Sequence, residues 1–143
     1  MNDVHHYKTS VKWDGGRIGT LSSETLDSFK VATPPEFPKG VPNTWSPEHL
    51  YVASLNTCLM TTFLAIAENS KLDFISFSCE SKGKLEKVDG RFMISEVELM
   101  PEIKVKNERD KERAGRIIVK AEEHCLISNS VKTKIVLSPN IIV

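Results

Sequence analysis

The sequence predicts an α+β fold with a long buried central helix, and three observations carry that prediction. From His49 to Ala67, 19 residues contain no Asp, Glu, Lys or Arg, directly after a helix-start signal. Extended segments punctuated by glycine turns lie on both sides of that run. A second helical stripe, with one charged face, follows late in the chain. The resulting order is βββ-α-ββ-α-β, with runs of strands between helices rather than strict alternation.

Taken in order, residues 4–13 read as extended and Asp14-Gly15-Gly16 as a turn, so residues 17–23 return as a second strand. Residues 26–32 form a third. Pro34, Pro35, Pro38, Pro42 and Gly40 make residues 33–43 a loop, since proline withholds an N–H and restricts its predecessor. Ser46-Pro47-Glu48 then combines an N-cap serine, a proline at the first helical position and an acid in the first turn. The helix should run from Pro47 to about Asn69. A helix apolar on every side is buried or spans a membrane. His49, Ser54, Asn56, Thr57, Thr61 and Thr62 argue against a span. Residues 72–87 and 91–105 form a hairpin about Asp89-Gly90, with Pro101 marking an edge or irregular end. In the second helix, residues 108–123, Ala114, Ile117, Ile118, Ala121 and Cys125 form the apolar stripe, and the charged remainder is solvated. Residues 131–137 make the last strand.

Length and composition point to one domain over residues 1–143, at 40% apolar and 27% charged residues. The formal net charge of zero argues against nucleic acid or anionic membrane as an electrostatic partner. Three scattered cysteines do not make a secreted disulfide framework, and residues 1–10 have no signal-peptide shape. The expected compartment is the cytoplasm, where a disulfide is more often catalytic than structural.

Cys58 lies mid-helix and Cys125 ends the second stripe, so the two thiols would meet if both helices line one core. Cys79 shares a strand face with Ile75 and Phe77 and reads as core filler. A working thiol needs its pKa lowered. Cys58 has no helix terminus of its own, so it needs an imported charge. Arg17, on its Gly-Gly-Arg turn, is one source, and Arg91, Arg109 and Arg113 are others. Glu48 can orient an arginine through a bidentate pair, or simply complement the helix dipole. Ten residues of helix place Glu48 about 15 Å from Cys58. Both can therefore serve one reacting atom only if Glu48 comes from a second copy of the chain. His5, His6, His49 and His124 show no ligand spacing for zinc, and a Cys–His hydrolase lacks a nucleophile turn.

Residues 44–58, Thr44-Trp45-Ser46-Pro47-Glu48-His49-Leu50 through Asn56-Thr57-Cys58, resemble the central-helix signature of the OsmC/Ohr family, the osmotically inducible and organic hydroperoxide resistance proteins. In that signature the cysteine follows the glutamate by ten positions, as here. Ala121-Glu122-Glu123-His124-Cys125-Leu126-Ile127-Ser128-Asn129-Ser130 resembles the family's second cysteine motif, with Leu126 where proline is common. Asp14-Gly15-Gly16-Arg17-Ile18-Gly19 is similar to its arginine-bearing hairpin. The resemblance implies two antiparallel sheets around the long buried central helix, and an intertwined homodimer with shared active sites. Cys58 would attack a small-molecule organic hydroperoxide and Cys125 would resolve it. Arg17 would stabilise the thiolate, and Glu48 would hold Arg17. An external dithiol would be the reductant, with no metal or other cofactor. The alternative is a non-catalytic homodimer of the same fold that binds a small molecule or thiol.

Overall fold

At the Gly16-Arg17 tip the chain reverses through left-handed backbone that glycine tolerates: Gly15 has φ +123° and Gly16 φ +55°. The computed structural model describes residues 3–143. It forms two compact units, one ending at Leu50 and the other spanning Tyr51–Val143. In the first, β1 (Ser10–Gly15), β2 (Ile18–Ser23) and β3 (Leu26–Ala32) build a three-stranded antiparallel sheet in that order. The Trp13 indole N–H donates to the Gly16 carbonyl at 3.0 Å and locks the tip. The proline-rich segment is a loop, as its composition predicts. It returns at Trp45, whose carbonyl accepts the Ala32 N–H at 2.8 Å.

Helix α1 (Pro47–Asn69) has the bounds read from the sequence. Its start is a reciprocal cap in which His49 takes the place usual for Glu or Gln. The His49 N–H donates to Ser46 Oγ, and the Ser46 N–H donates to His49 Nδ1, each at 3.2 Å. Its end is a Schellman motif. Leu72 N–H donates to Ala67 O, Lys71 N–H donates to Glu68 O, and Lys71 has φ +55°. A lysine in the usual glycine position hid that signal.

The second unit carries the main core. Leu55, Leu59, Phe63 and Ala67, four residues apart along α1, are fully buried. Met60 and Leu64, on the other side, remain 37% and 39% exposed. The helix expected to be buried all round is thus buried on one face within the chain. By length and composition α1 would pass for a membrane span, but its buried face makes it the core helix of this fold. Strands β4 (Phe74–Val88) and β5 (Arg91–Val105) form a long hairpin whose turn, Asp89-Gly90, has positive φ at both positions. Val97, Leu99, Ile103 and Val105 alternate inward from β5. They meet Ala114, Ile117, Ile118 and Ala121 of α2 (Asp110–Glu123). Where β4 passes α1, a Cβ on Gly83 would lie 2.5 Å from Val52 Cγ2, so only glycine fits without displacement.

Two expectations need correction here. The second sheet is mixed, not antiparallel: β6 (Lys134–Leu137) and β7 (Asn140–Ile142), a strand the sequence reading lacked, both pair parallel with β5. The cause is α2, a crossover helix that carries the chain back before β6 begins. Pro101 is not at an end of β5 but inside it, facing the break where pairing with β6 stops at Leu99 and pairing with β7 starts at Glu102. A residue without an N–H is tolerated at such a break.

Candidate thiol site

Cys58 lies on α1 three residues past buried Leu55, which turns it inward, and it is buried. Cys125 follows α2 directly and is completely buried. The two thiols, 67 positions apart in sequence, are brought into hydrogen-bonding contact. All three cysteines are free.

The electrostatics separate the pair. Burial alone would push the Cys58 thiol up. Hydrogen bonds to its sulfur, from the Cys125 thiol first, then the Ile127 N–H, the Thr62 hydroxyl and the Leu126 N–H, outweigh burial and hold it below the ordinary thiol value. The Thr62 hydroxyl lies 3.9 Å from Cys58 Sγ. Cys125 moves the other way. Burial, and then its role as the donor to Cys58, raise it. Cys58 is therefore the thiol that forms the thiolate more readily, and Cys125 keeps its proton as the donor to it. Within this unit hydrogen bonds achieve what the sequence reading assigned to an imported cation. The three-residue 3-10 turn Ser128–Ser130 helps position the donors: Asn129 N–H donates to the Cys125 carbonyl at 3.0 Å.

Cys79 sits half-buried against the edge of the core, its thiol raised by burial. Ile75 does not share its face and is 55% exposed. A register shift between Phe74 and Ser76 adds one unpaired residue to β4 and flips the alternation there. Phe74 and Phe77 consequently both pack on Phe63.

Arg17 and Glu48 come together in the first unit. Both line a cavity of about 740 Å³ whose other walls include Val11, Trp13, Ile18, Phe37 and Pro47. Glu48 Oε1 is buried and has no hydrogen-bond partner. The nearest acid along Arg17's own hairpin, Asp14, is already engaged. The Thr20 hydroxyl donates to it, and Lys30 pairs with it at 3.0 Å. Arg91, on the β4–β5 hairpin, is exposed, and Arg113 pairs with Asp110 on its own helix.

Three contributors escaped the sequence reading: Thr62, Ser128 and Glu122. Ser128 Oγ and Glu122 Oε2 are buried without partners. Burial raises Glu122 above the usual carboxylate range, against an opposing contribution from Ser128. The signal for Glu122 was its spacing, four after Ile118 and three before Cys125, which puts it inside the apolar stripe. Among the described residues no three His, Cys, Asp or Glu side chains converge as a metal cluster would.

Comparison with known proteins agrees with this architecture. The family model described as OsmC-like protein matches residues 40–140. The uncharacterised protein YmaD of Bacillus subtilis is 25% identical over 138 residues, 93% of this chain and 91% of YmaD. An OsmC-like protein of unknown function from Vibrio cholerae has a TM-score of 0.87 at 23% identity, covering 95% of this chain and 99% of that one. An organic hydroperoxide resistance protein from Elizabethkingia anophelis has a TM-score of 0.79 at 23% identity, with 99% of each chain covered. At such identities the structural likeness speaks for the fold.

Proposed function

Because the chain belongs to the OsmC-like protein family, we propose that it is a cysteine-based peroxidase that reduces organic hydroperoxides to alcohols. The observation that carries this reading is the contact between Cys58 and Cys125, with the thiolate favoured at Cys58. The Cys58 thiolate attacks the distal peroxide oxygen. The O–O bond breaks, the alcohol leaves with a proton, and Cys58 becomes a sulfenic acid. Cys125 condenses with it to a disulfide, releasing water, and an external dithiol restores both thiols. Sulfur carries both electrons, so the cycle calls for no metal or organic cofactor. Some structural neighbours are named organic hydroperoxide resistance proteins, which supports the choice of substrate class.

The protein acts as a homodimer in this reading. The exposed Met60 and Leu64 side of α1 is an apolar surface suited to a second copy. That copy supplies Arg17 to the thiolate, with Glu48 holding the guanidinium. Free thiols suit the reducing cytoplasm as its compartment. The largely apolar cavity beside Arg17 and Glu48 also favours a second reading, a non-catalytic dimer that binds a small molecule there.

Mass spectrometry of reduced protein after one equivalent of cumene hydroperoxide separates the two. Loss of two hydrogens per chain, mapping to a Cys58–Cys125 linkage, is expected. Unchanged thiols in folded dimeric protein would reject the peroxidase and leave the binding role.

A further inference from the structure

Next to the thiol pair lies an acid the cycle above does not use. Glu122 and Cys125 are one helical turn apart, and the Cys125 N–H donates to the Glu122 carbonyl at 3.2 Å. Glu122 is half-buried, and its Oε2 is fully buried without a partner. Ser128, on the following turn, has a buried Oγ that also completes no hydrogen bond of ordinary geometry. Hydrogen bonding from Ser128 nevertheless opposes the rise that burial gives both Glu122 and Cys125. Buried polar atoms are nearly always paired, so two such atoms beside a thiol call for a reason. The other titratable group that senses Glu122 is Cys79 on β4. It is kept protonated by burial and, secondarily, by the Glu122 charge. No cation contributes to the state of Glu122.

We propose that Glu122, acting through the Ser128 hydroxyl, is the proton relay for the disulfide-forming step. This rests on the peroxidase reading. The Cys125 S–H proton passes to Ser128 Oγ as the Ser128 proton passes to the Glu122 carboxylate. The Cys125 sulfur attacks the Cys58 sulfur, the S–S bond forms and the S–O bond of the sulfenic acid breaks. The proton returns along the same path to the departing hydroxide and leaves as water. Cys125 is oxidised, Cys58 is reduced from sulfenic acid to disulfide, and Glu122 ends as the carboxylate it began. The relay answers a real difficulty. Cys125 is buried and pushed up, so it yields little thiolate unaided. A base whose own pKa is raised is better matched to it than an ordinary carboxylate.

The test follows the two chemical steps separately in the full chain. Reduced protein is mixed with cumene hydroperoxide and quenched with dimedone over time, and Cys58 adduct and disulfide are quantified by mass. In Glu122→Gln the sulfenic acid should form at the wild-type rate, and its conversion to disulfide should slow by about a hundredfold. The pH profile of that conversion should move to higher pH, where Cys125 ionises unaided. Glu122→Asp should recover part of the rate, and Ser128→Ala should slow conversion as well. Wild-type conversion rates in Glu122→Gln across pH would overturn the relay and leave the peroxidase standing. Absence of a Cys58 adduct in the wild type, and in Cys125→Ser, would overturn the peroxidase itself and the relay with it.

Discussion

Among the described residues, each unit buries one carboxylate oxygen that completes no hydrogen bond of ordinary geometry, Glu48 Oε1 in the first and Glu122 Oε2 in the second. Their surroundings are opposite. Glu48 stands in the first turn of α1, where the helix N-terminus complements its negative charge, and it shares an open cavity with Arg17. Glu122 stands in the last turn of α2, where the macrodipole opposes negative charge, near thiols and a hydroxyl, and burial rather than a charge partner sets its state. An unpaired buried carboxylate can be completed by a cation or by a proton. Helix polarity and neighbours assign the first remedy to Glu48, and leave Glu122 as a carboxylate whose raised pKa readies it to take up a proton. The same side chain thus becomes an anchor for arginine at one end of a helix and a proton carrier at the end of another.

The comparison matters only if the thiols do chemistry, so the largest expected effect is at Cys58. Cys58→Ser should abolish peroxide turnover, measured as hydroperoxide consumed with a dithiol in excess. Cys125→Ser should retain one sulfenylation per chain and no steady-state cycle. Full turnover in Cys58→Ser would remove the whole scheme. Next is the origin of the arginine. Arg17→Ala should lower kcat/KM by about a hundredfold, the scale of one lost charge-stabilising contact. Refolding an equal mixture of Cys58→Ser and Arg17→Ala chains should restore about a quarter of wild-type activity, because half the dimers are hybrids with one intact site. An arginine acting within its own chain would restore none.

How much of this was legible follows from what each signal depends on. The bounds of α1 rest on local chemistry, a proline start and an uncharged run, and Pro47–Asn69 is what the structure has. The β5 bounds, set by a glycine turn, also hold. Strand direction is not local. Whether β6 runs with or against β5 depends on the crossover through α2, which the pattern of residues 131–137 does not encode. The bulge at Ile75 defeats any period-two count, because one extra residue inverts every later side chain. At the thiol pair, Cys58 and Cys125 were legible by residue type and by their places on the two helices. Glu122 was missed for the same reason: a glutamate on a charged helix was assigned to solvent although its spacing placed it on the buried stripe. His49 was set aside as a metal ligand, and its work in the cap of α1 needed the geometry of Ser46.

Stability against pH sharpens the contrast between the two glutamates. Glu122 is raised in the folded state by burial first, so the protonated form is favoured by folding. Its contribution is therefore fully present below the unfolded carboxylate value of about 4.3 and is lost as pH rises through the folded value. Glu122→Gln, which cannot ionise, should raise Tm at neutral pH, with the gain vanishing in acid. Glu48→Gln should do the reverse at neutral pH and cost about 0.5 kcal/mol, since it removes a charge that complements a helix N-terminus. Thermal melts of both variants from pH 4 to pH 8 read the two signs. Equal signs would dissolve the distinction.

The smallest expected effect tests the hydrogen-bond account of Cys58 itself. The Leu126 side chain is 65% exposed, so packing does not explain it. Its backbone does: the Leu126 N–H is one of the donors that hold the Cys58 thiol down, and the least of those named. Proline has no N–H to give. Leu126→Pro should therefore raise the Cys58 pKa and slow sulfenylation about two- to threefold near neutral pH, the loss of one weak donor. Ultraviolet titration of the thiolate in a Cys79→Ser, Cys125→Ser background reads this directly, without interference from the other thiols. That background removes the strongest donor but leaves the Ile127, Thr62 and Leu126 donors in place. An unchanged titration would mean that the loop amides do not set the thiolate, and that Cys58 depends on the Cys125 thiol and on Arg17 of the second copy.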